Sequence, residues 1–145
     1  MANKKLFAGI LVMALVFGML LVACDNGTTS SIDSALNGTW GRGTDEIYFN
    51  NGNLEMVLNG SKVFKATYTA KNGSYTFTVT HIWGGRPEYQ GMLQSKWYTK
   101  AEIKSSPIGP YVTDADLNSW FTTESGTYSV SGNKLTLDGD VYTKR

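Results

Sequence analysis

The residues able to do chemistry are few and scattered. His81 is the only histidine, and it falls between Val79 and Trp83 in an alternating apolar run. There it is either a polar contact in a ligand cavity, a general base, or a core or rim histidine with an ordinary hydrogen bond. A base needs an orienting carboxylate and a nucleophile within reach, and the spacing offers neither. Asp114-x-Asp116-x-Asn118 begins like a calcium loop. Ser119 stands where the sharp turn needs glycine, and Ser125 where a bidentate glutamate belongs, so these carboxylates fit a helix N-terminus better. Asp45 with Glu46, and Asp138 with Asp140, fall at turns or strand ends, where solvated charge is the common case. A glycosidase pair must instead face across a cleft. Gly41-Arg42-Gly43 and Gly84-Gly85 lack the lysine and following helix of a phosphate loop. With one histidine and one cysteine, Cys24, a zinc site of the usual ligands is poorly supported, and no intrachain disulfide forms. The expectation is a protein without catalytic residues, metal or cofactor, and not an enzyme.

The aromatic residues carry more information. Trp40, Phe49, Phe64, Tyr75, Phe77, Trp83, Trp97 and Trp120 are many large rings for one small domain. A filled core accounts for most of them. The functional alternative is an apolar cavity at the mouth of a barrel, where ligand sites are usual. Its candidate lining is Phe77, His81, Trp83, Trp97 and Trp120.

The elements that must hold these rings follow a period of two. Ile47 and Phe49 share a face, as do Leu54, Met56 and Leu58, and then Phe64, Ala66 and Tyr68. Asn51-Gly52, Asn59-Gly60 and Asn72-Gly73 separate these runs, and Asn-Gly favours tight hairpins because both central residues take positive φ. The clearest run puts Tyr75, Phe77, Val79, His81 and Trp83 on one face, with Thr76, Thr78 and Thr80 on the other. Gly84-Gly85-Arg86-Pro87 breaks the pattern. A further strand is expected from Gly91 to Trp97, with Leu93 and Trp97 facing in. Thr99-x-x-Glu102 fits a capping box for a short helix ended by Pro107, although alternation also allows a strand through Ile103. Thr113-x-x-Asp116 is a weaker box, starting a helix through about Phe121 with Ala115, Trp120 and Leu117 packed down. Strands return around Tyr128–Val130, Leu135–Leu137 and Val141–Lys144. The sum is an all-β fold: a small antiparallel up-and-down barrel of eight or nine strands, with a helical insertion near 99–121.

The N-terminus has its own logic. Lys4 and Lys5 precede an almost unbroken apolar run, Leu6 to Val22, which stops at Cys24 and gives way to polar residues. This is signal-peptide patterning, and a transmembrane anchor is the competing reading. Leu21-Val22-Ala23-Cys24 resembles the bacterial lipobox, in which the cysteine is acylated and becomes the new N-terminus. The resemblance implies a signal peptide over 1–23, lipidation of Cys24 and anchoring to a membrane through that lipid. It places the protein in the bacterial cell envelope, on the periplasmic side or the cell surface. Asp25 resembles an inner-membrane retention signal of some bacteria. Residues 24–35 read as a flexible tether and 36–145 as the domain. Removing Lys4 and Lys5 from the 13 basic residues leaves eleven against 12 acidic ones, so nucleic acid is not an expected partner.

Asn37-Gly38-Thr39-Trp40 resembles the Gly-x-Trp that opens the first lipocalin strand. Phe49 to Asn53 resembles the hairpin that follows it in short bacterial lipocalin-like domains, and Gly126 to Leu137 their closing hairpin, before a last strand like Val141–Lys144. The resemblance spans most of 36–145 and departs from it over 84–121. It implies that Trp40 plugs the barrel base, and it implies ligand binding in many members and no known activity in many others. Two roles are therefore expected in turn. The first is a tethered barrel that binds a small apolar molecule. The second is a protein- or glycan-interaction lipoprotein with a packed core and an exposed aromatic patch around Tyr89, Tyr98, Tyr111 or Trp120.

Overall fold

Asn-Gly and Asp-Gly turns set the architecture. Asn51, Asn59, Asn72 and Asp138 all take positive φ, each followed by a glycine that does the same. Residues other than glycine rarely tolerate that conformation, and Asn and Asp tolerate it best. In the computed structural model, which describes residues 32–145, these turns join six strands, and the described residues form nine in all. They are β1 (Gly38–Arg42), β2 (Asp45–Asn50), β3 (Asn53–Leu58), β4 (Ser61–Lys71), β5 (Ser74–Trp83), β6 (Trp97–Tyr98), β7 (Thr123–Ser131), β8 (Lys134–Leu137) and β9 (Asp140–Lys144). The expected signal peptide, Cys24 and most of the expected tether lie outside the described residues.

Every strand pair is antiparallel. The sheet runs β4-β3-β2-β1-β9-β8-β7-β5-β6, and β4 also pairs with β5. Eight strands therefore close on themselves, and β6 is an extra strand on the far part of β5. The fold is a closed antiparallel barrel, as the alternation and turn spacing lead one to expect.

One end is plugged by the segment that enters it. Asp33 caps a 3-10 turn, Ser34–Leu36, by accepting from the Ala35 amide at 2.9 Å. It also accepts from the Tyr128 hydroxyl at 2.7 Å, so the chain joins the domain a few residues before the expected boundary at 36. Trp40 is 0% exposed, and its indole N–H donates to the Leu36 carbonyl at 2.6 Å. Asn37 and Asn51 exchange hydrogen bonds across the same end.

The insertion after β6 contributes to the same buried cluster as the barrel. Its helices are α1 (Lys100–Lys104) and α2 (Asp114–Trp120). Both capping boxes form with their reciprocal bonds, at Thr99/Glu102 and Thr113/Asp116. Ile103, Ile108, Leu117 and Trp120 are buried in one cluster with the barrel core. Ala115, expected to pack down, is exposed on the opposite side of α2. The expected strand over 91–97 shrinks to Trp97–Tyr98, and a 3-10 turn at Pro87–Tyr89 occupies part of the gap.

Two bulges change the phase of the wall. Met56 pairs with Phe64 but Val57 with Lys62, so Val63 is an extra residue on β4. Ala66 pairs with Val79 but Lys65 with His81, so Thr80 is an extra residue on β5. A one-residue slip sends every later side chain to the other face. Beyond Thr80 it is Ile82, paired with Phe64, that faces in, while His81 and Trp83 face out.

Candidate functional site

The barrel interior retains a cavity of about 40 Å³, lined among others by Phe49, Met56, Tyr68, Phe77, Leu137 and Tyr142. It sits between the Leu36 plug and the opposite mouth. Its lining is apolar because alternate residues of β2 to β5, β8 and β9 point inward. Asp140 is the only charged residue among the described ones that line it. Its carboxylate is paired with Arg42 at 2.5 Å, and the Arg42 guanidinium lies 5.3 Å from the Tyr142 ring centre. Space on the order of 10–15 Å³ admits one water, and about 150 Å³ of apolar cavity admits benzene. The cavity at rest thus matches a few waters or the end of a slender chain.

Of the five candidate cavity residues, the structure puts only Phe77 here. His81, Trp83 and Trp97 are on the outer wall, because the Thr80 bulge reverses the alternation from which their placement followed. Trp97 follows Trp83, its partner across β5 and β6. Trp120 is buried in the insertion, 6.0 Å from the Tyr89 ring. The sequence does hold a signal of this reversal. Ile82 is a large aliphatic residue at a position that strict alternation gives to solvent. Met56 was readable as sharing a face with Leu54, but nothing marked Met56, Leu137 or Tyr142 as bordering unfilled space.

His81 has a local use. The Thr80 hydroxyl donates to the Lys65 carbonyl at 3.2 Å, at the point where the bulge interrupts the ladder. The His81 Nδ1 lies 2.9 Å from the same hydroxyl. With its proton engaged by Lys65, that hydroxyl accepts from His81, so the pair supports the bulge. The calcium-loop-like side chains are likewise engaged: the Asp116 carboxylate accepts from the Thr113 amide and hydroxyl in the capping box of α2, Asp114 meets Lys104 at 2.6 Å, and the Asn118 carboxamide accepts from Lys100 at 2.6 Å. Among the described residues no three His, Cys, Asp or Glu side chains gather as metal ligands.

The outer wall carries an aromatic corner instead. Trp83 and Trp97 meet edge to face, with ring centres 5.0 Å apart and planes at 63°. The patch expected around Tyr89, Tyr98, Tyr111 or Trp120 does not form, since all but Tyr111 are buried.

Comparison with known proteins returns no matching family model, no matching curated protein and no matching solved structure. The chain's chemistry has to be read from its own residues.

Buried phenols give the domain a definite alkaline limit. Burial, then the hydrogen bond to Asp33, pushes Tyr128 up to about 12 from an ordinary value of 10. Burial followed by the bond to Asp138 pushes Tyr75 further up, and burial does the same for Tyr89. A raised folded-state pKa contributes stability in full below the unfolded value and loses it as pH rises through the folded one. The unfolding midpoint should therefore fall steeply from about pH 10 to pH 12. Tyr128→Phe should flatten part of that fall. A wild-type midpoint that stays level across this interval would refute the assignment.

Proposed function

We propose that this chain is a bacterial envelope lipoprotein, anchored by lipid on Cys24, whose lipocalin-like barrel binds a slender apolar ligand. The lipobox-like N-terminus supports the address. The unfilled apolar space inside a closed barrel carries the binding role. Met56, Phe77 and Leu137, which line that space, are only partly buried. They can turn aside for an alkyl chain end without moving the fully buried core. Asp140 and Arg42 offer a polar group at the cavity edge for a ligand's head. The role is binding rather than catalysis: His81 is spent on its bulge, and the carboxylates expected near α2 serve as caps and ion pairs.

Native mass spectrometry tests this on the domain from Ser30 onward, purified without detergent from its own envelope extract. The expected result is a bound species of defined mass that disappears in Leu137→Trp, where the new ring fills the cavity. A clean apo mass that stays apo after incubation with mixed lipids would end the carrier reading.

A second reading, an interaction lipoprotein working through its outer wall, is favoured by the Trp83–Trp97 corner. Two indoles held at an angle on the outer face of a small barrel add little to its core, and aromatic residues are enriched at recognition surfaces.

A further inference from the structure

We propose that the outer-wall corner formed by Trp83 and Trp97, with Lys62 and Lys65, is a binding site for an anionic glycan. This rests on the outer-wall reading and names its partner.

The corner is assembled by the two bulges. Val63 on β4 and Thr80 on β5 are extra residues in adjacent strands. If β4 kept strict alternation through Val63, Lys62 would share the inward phase of Phe64. If β5 kept strict alternation through Thr80, Trp83 would share the inward phase of Val79. The two slips fall within three residues of each other along β4 and re-aim a lysine and an indole to the same outer face. Bulges commonly serve to re-aim side chains in this way. The two-residue strand β6 then brings Trp97 opposite Trp83. Glu55, Lys65 and His81 lie side by side across β3, β4 and β5 on that face.

The groups suit a charged sugar. Both indoles are partly exposed. The Lys62 ammonium lies 5.0 Å from the Trp83 ring centre and 5.7 Å from that of Trp97, and the Lys65 ammonium lies 4.7 Å from Trp97. The ring faces thus attract positive edges, and the C–H face of a pyranose presents such an edge to an aromatic ring. Lys62 and Lys65 share a single carboxylate, Glu55, at 3.8 Å each. Two cations on one anion leave a positive charge for a ligand carboxylate, sulfate or phosphate. Both lysines are well exposed and flexible, so they can leave the rings and close on the ligand's anion. The Glu55 oxygens can accept from sugar hydroxyls. A protein partner fits less well, because the large hydrophobics found exposed (Ile32, Tyr48, Met92, Tyr111 and Val141) include no residue of this corner. A contiguous apolar patch would mark such an interface.

The test is titration of the chain from Ser30 onward, which holds every strand and the whole core, against three probes. These are oligogalacturonate, neutral maltohexaose and phosphatidylglycerol vesicles, followed by tryptophan fluorescence and calorimetry. Oligogalacturonate should bind, weaken as salt is raised, and lose affinity about tenfold in Trp97→Ala. The paired change Lys62→Gln with Lys65→Gln should lower affinity and flatten the salt dependence, and it serves if Trp97→Ala fails to fold. The cavity-filling Leu137→Trp should leave this binding unchanged. Equal binding of maltohexaose, a response to vesicles alone, or binding indifferent to Trp97 and both lysines overturns the proposal. Photo-crosslinking in cells from position 65 separates the two levels. Adducts without oligogalacturonate binding overturn the anionic glycan and keep the outer-wall reading; neither adducts nor binding overturns both.

Discussion

Trp40→Ala should lower the unfolding free energy by about 3–5 kcal/mol, the usual cost of deleting a buried large ring. The value belongs near the top of that range for three reasons. Trp40 has no exposed surface, so the whole ring is lost from the core. Its N–H bond to Leu36 fixes the 3-10 turn that closes this end, and losing the donor leaves the Leu36 carbonyl without it. The Lys144 ammonium lies 5.1 Å from the ring centre, so β9 also loses a contact where it meets β1. Domains of this size are stable by only about 5–15 kcal/mol, so the variant should sit near its unfolding midpoint at modest temperature. Trp40→Phe should recover most of the packing but not the hydrogen bond, which is worth about 1 kcal/mol. Urea unfolding followed by circular dichroism measures both. A Trp40→Ala loss below about 1 kcal/mol would show that the plug can be dispensed with.

Leu117→Ala should cost about 2–5 kcal/mol and should do so in one transition. Leu117 is 1% exposed on α2, yet it belongs to the same buried cluster as the barrel strands. If the insertion were an appendage, its loss would appear as a separate early melting of residues 99–121 while the barrel stayed intact. The shared core predicts instead that far-ultraviolet and tryptophan signals move together. Native-state hydrogen exchange would decide the matter at residue level. Early exchange confined to α1 and α2 would mark the insertion as a separately melting lid.

What was legible in the sequence was local. Asn51-Gly52, Asn59-Gly60, Asn72-Gly73 and Asp138-Gly139 each dictate their own turn, and the strands between them follow. Thr99/Glu102 and Thr113/Asp116 announce helix starts by spacing alone, because a cap is satisfied within four residues. Closure could be expected from strand count, and the place of Trp40 at its base from the lipocalin resemblance alone. The phase of the wall was not legible. A bulge is set by how two strands must bend to close a barrel, and that depends on residues far apart in sequence. From Tyr75 to Val79 alternation gives the correct face; one residue later it gives the wrong one, and the expected cavity residues His81 and Trp83 are lost with it. Trp97 fails for a connected reason, since its face is borrowed from Trp83. Ala115 fails because one exposed turn of a seven-residue helix tolerates a small apolar side chain freely. Residues 84–96, with three glycines and a proline, have no period to read.

The closed wall also governs how these molecules can meet one another. An open nine-stranded sheet would offer two long rows of unpaired amides and carbonyls, each a template for another chain. Here the pairing of β4 with β5 removes both rows, and the strand left at the end of the sheet is the two-residue β6. Such a short edge cannot seed a cross-strand stack. Domains at high local concentration would collide without a long strand edge to pair through. Among the described residues, contact between copies would then fall to side chains on the outer wall rather than to backbone pairing.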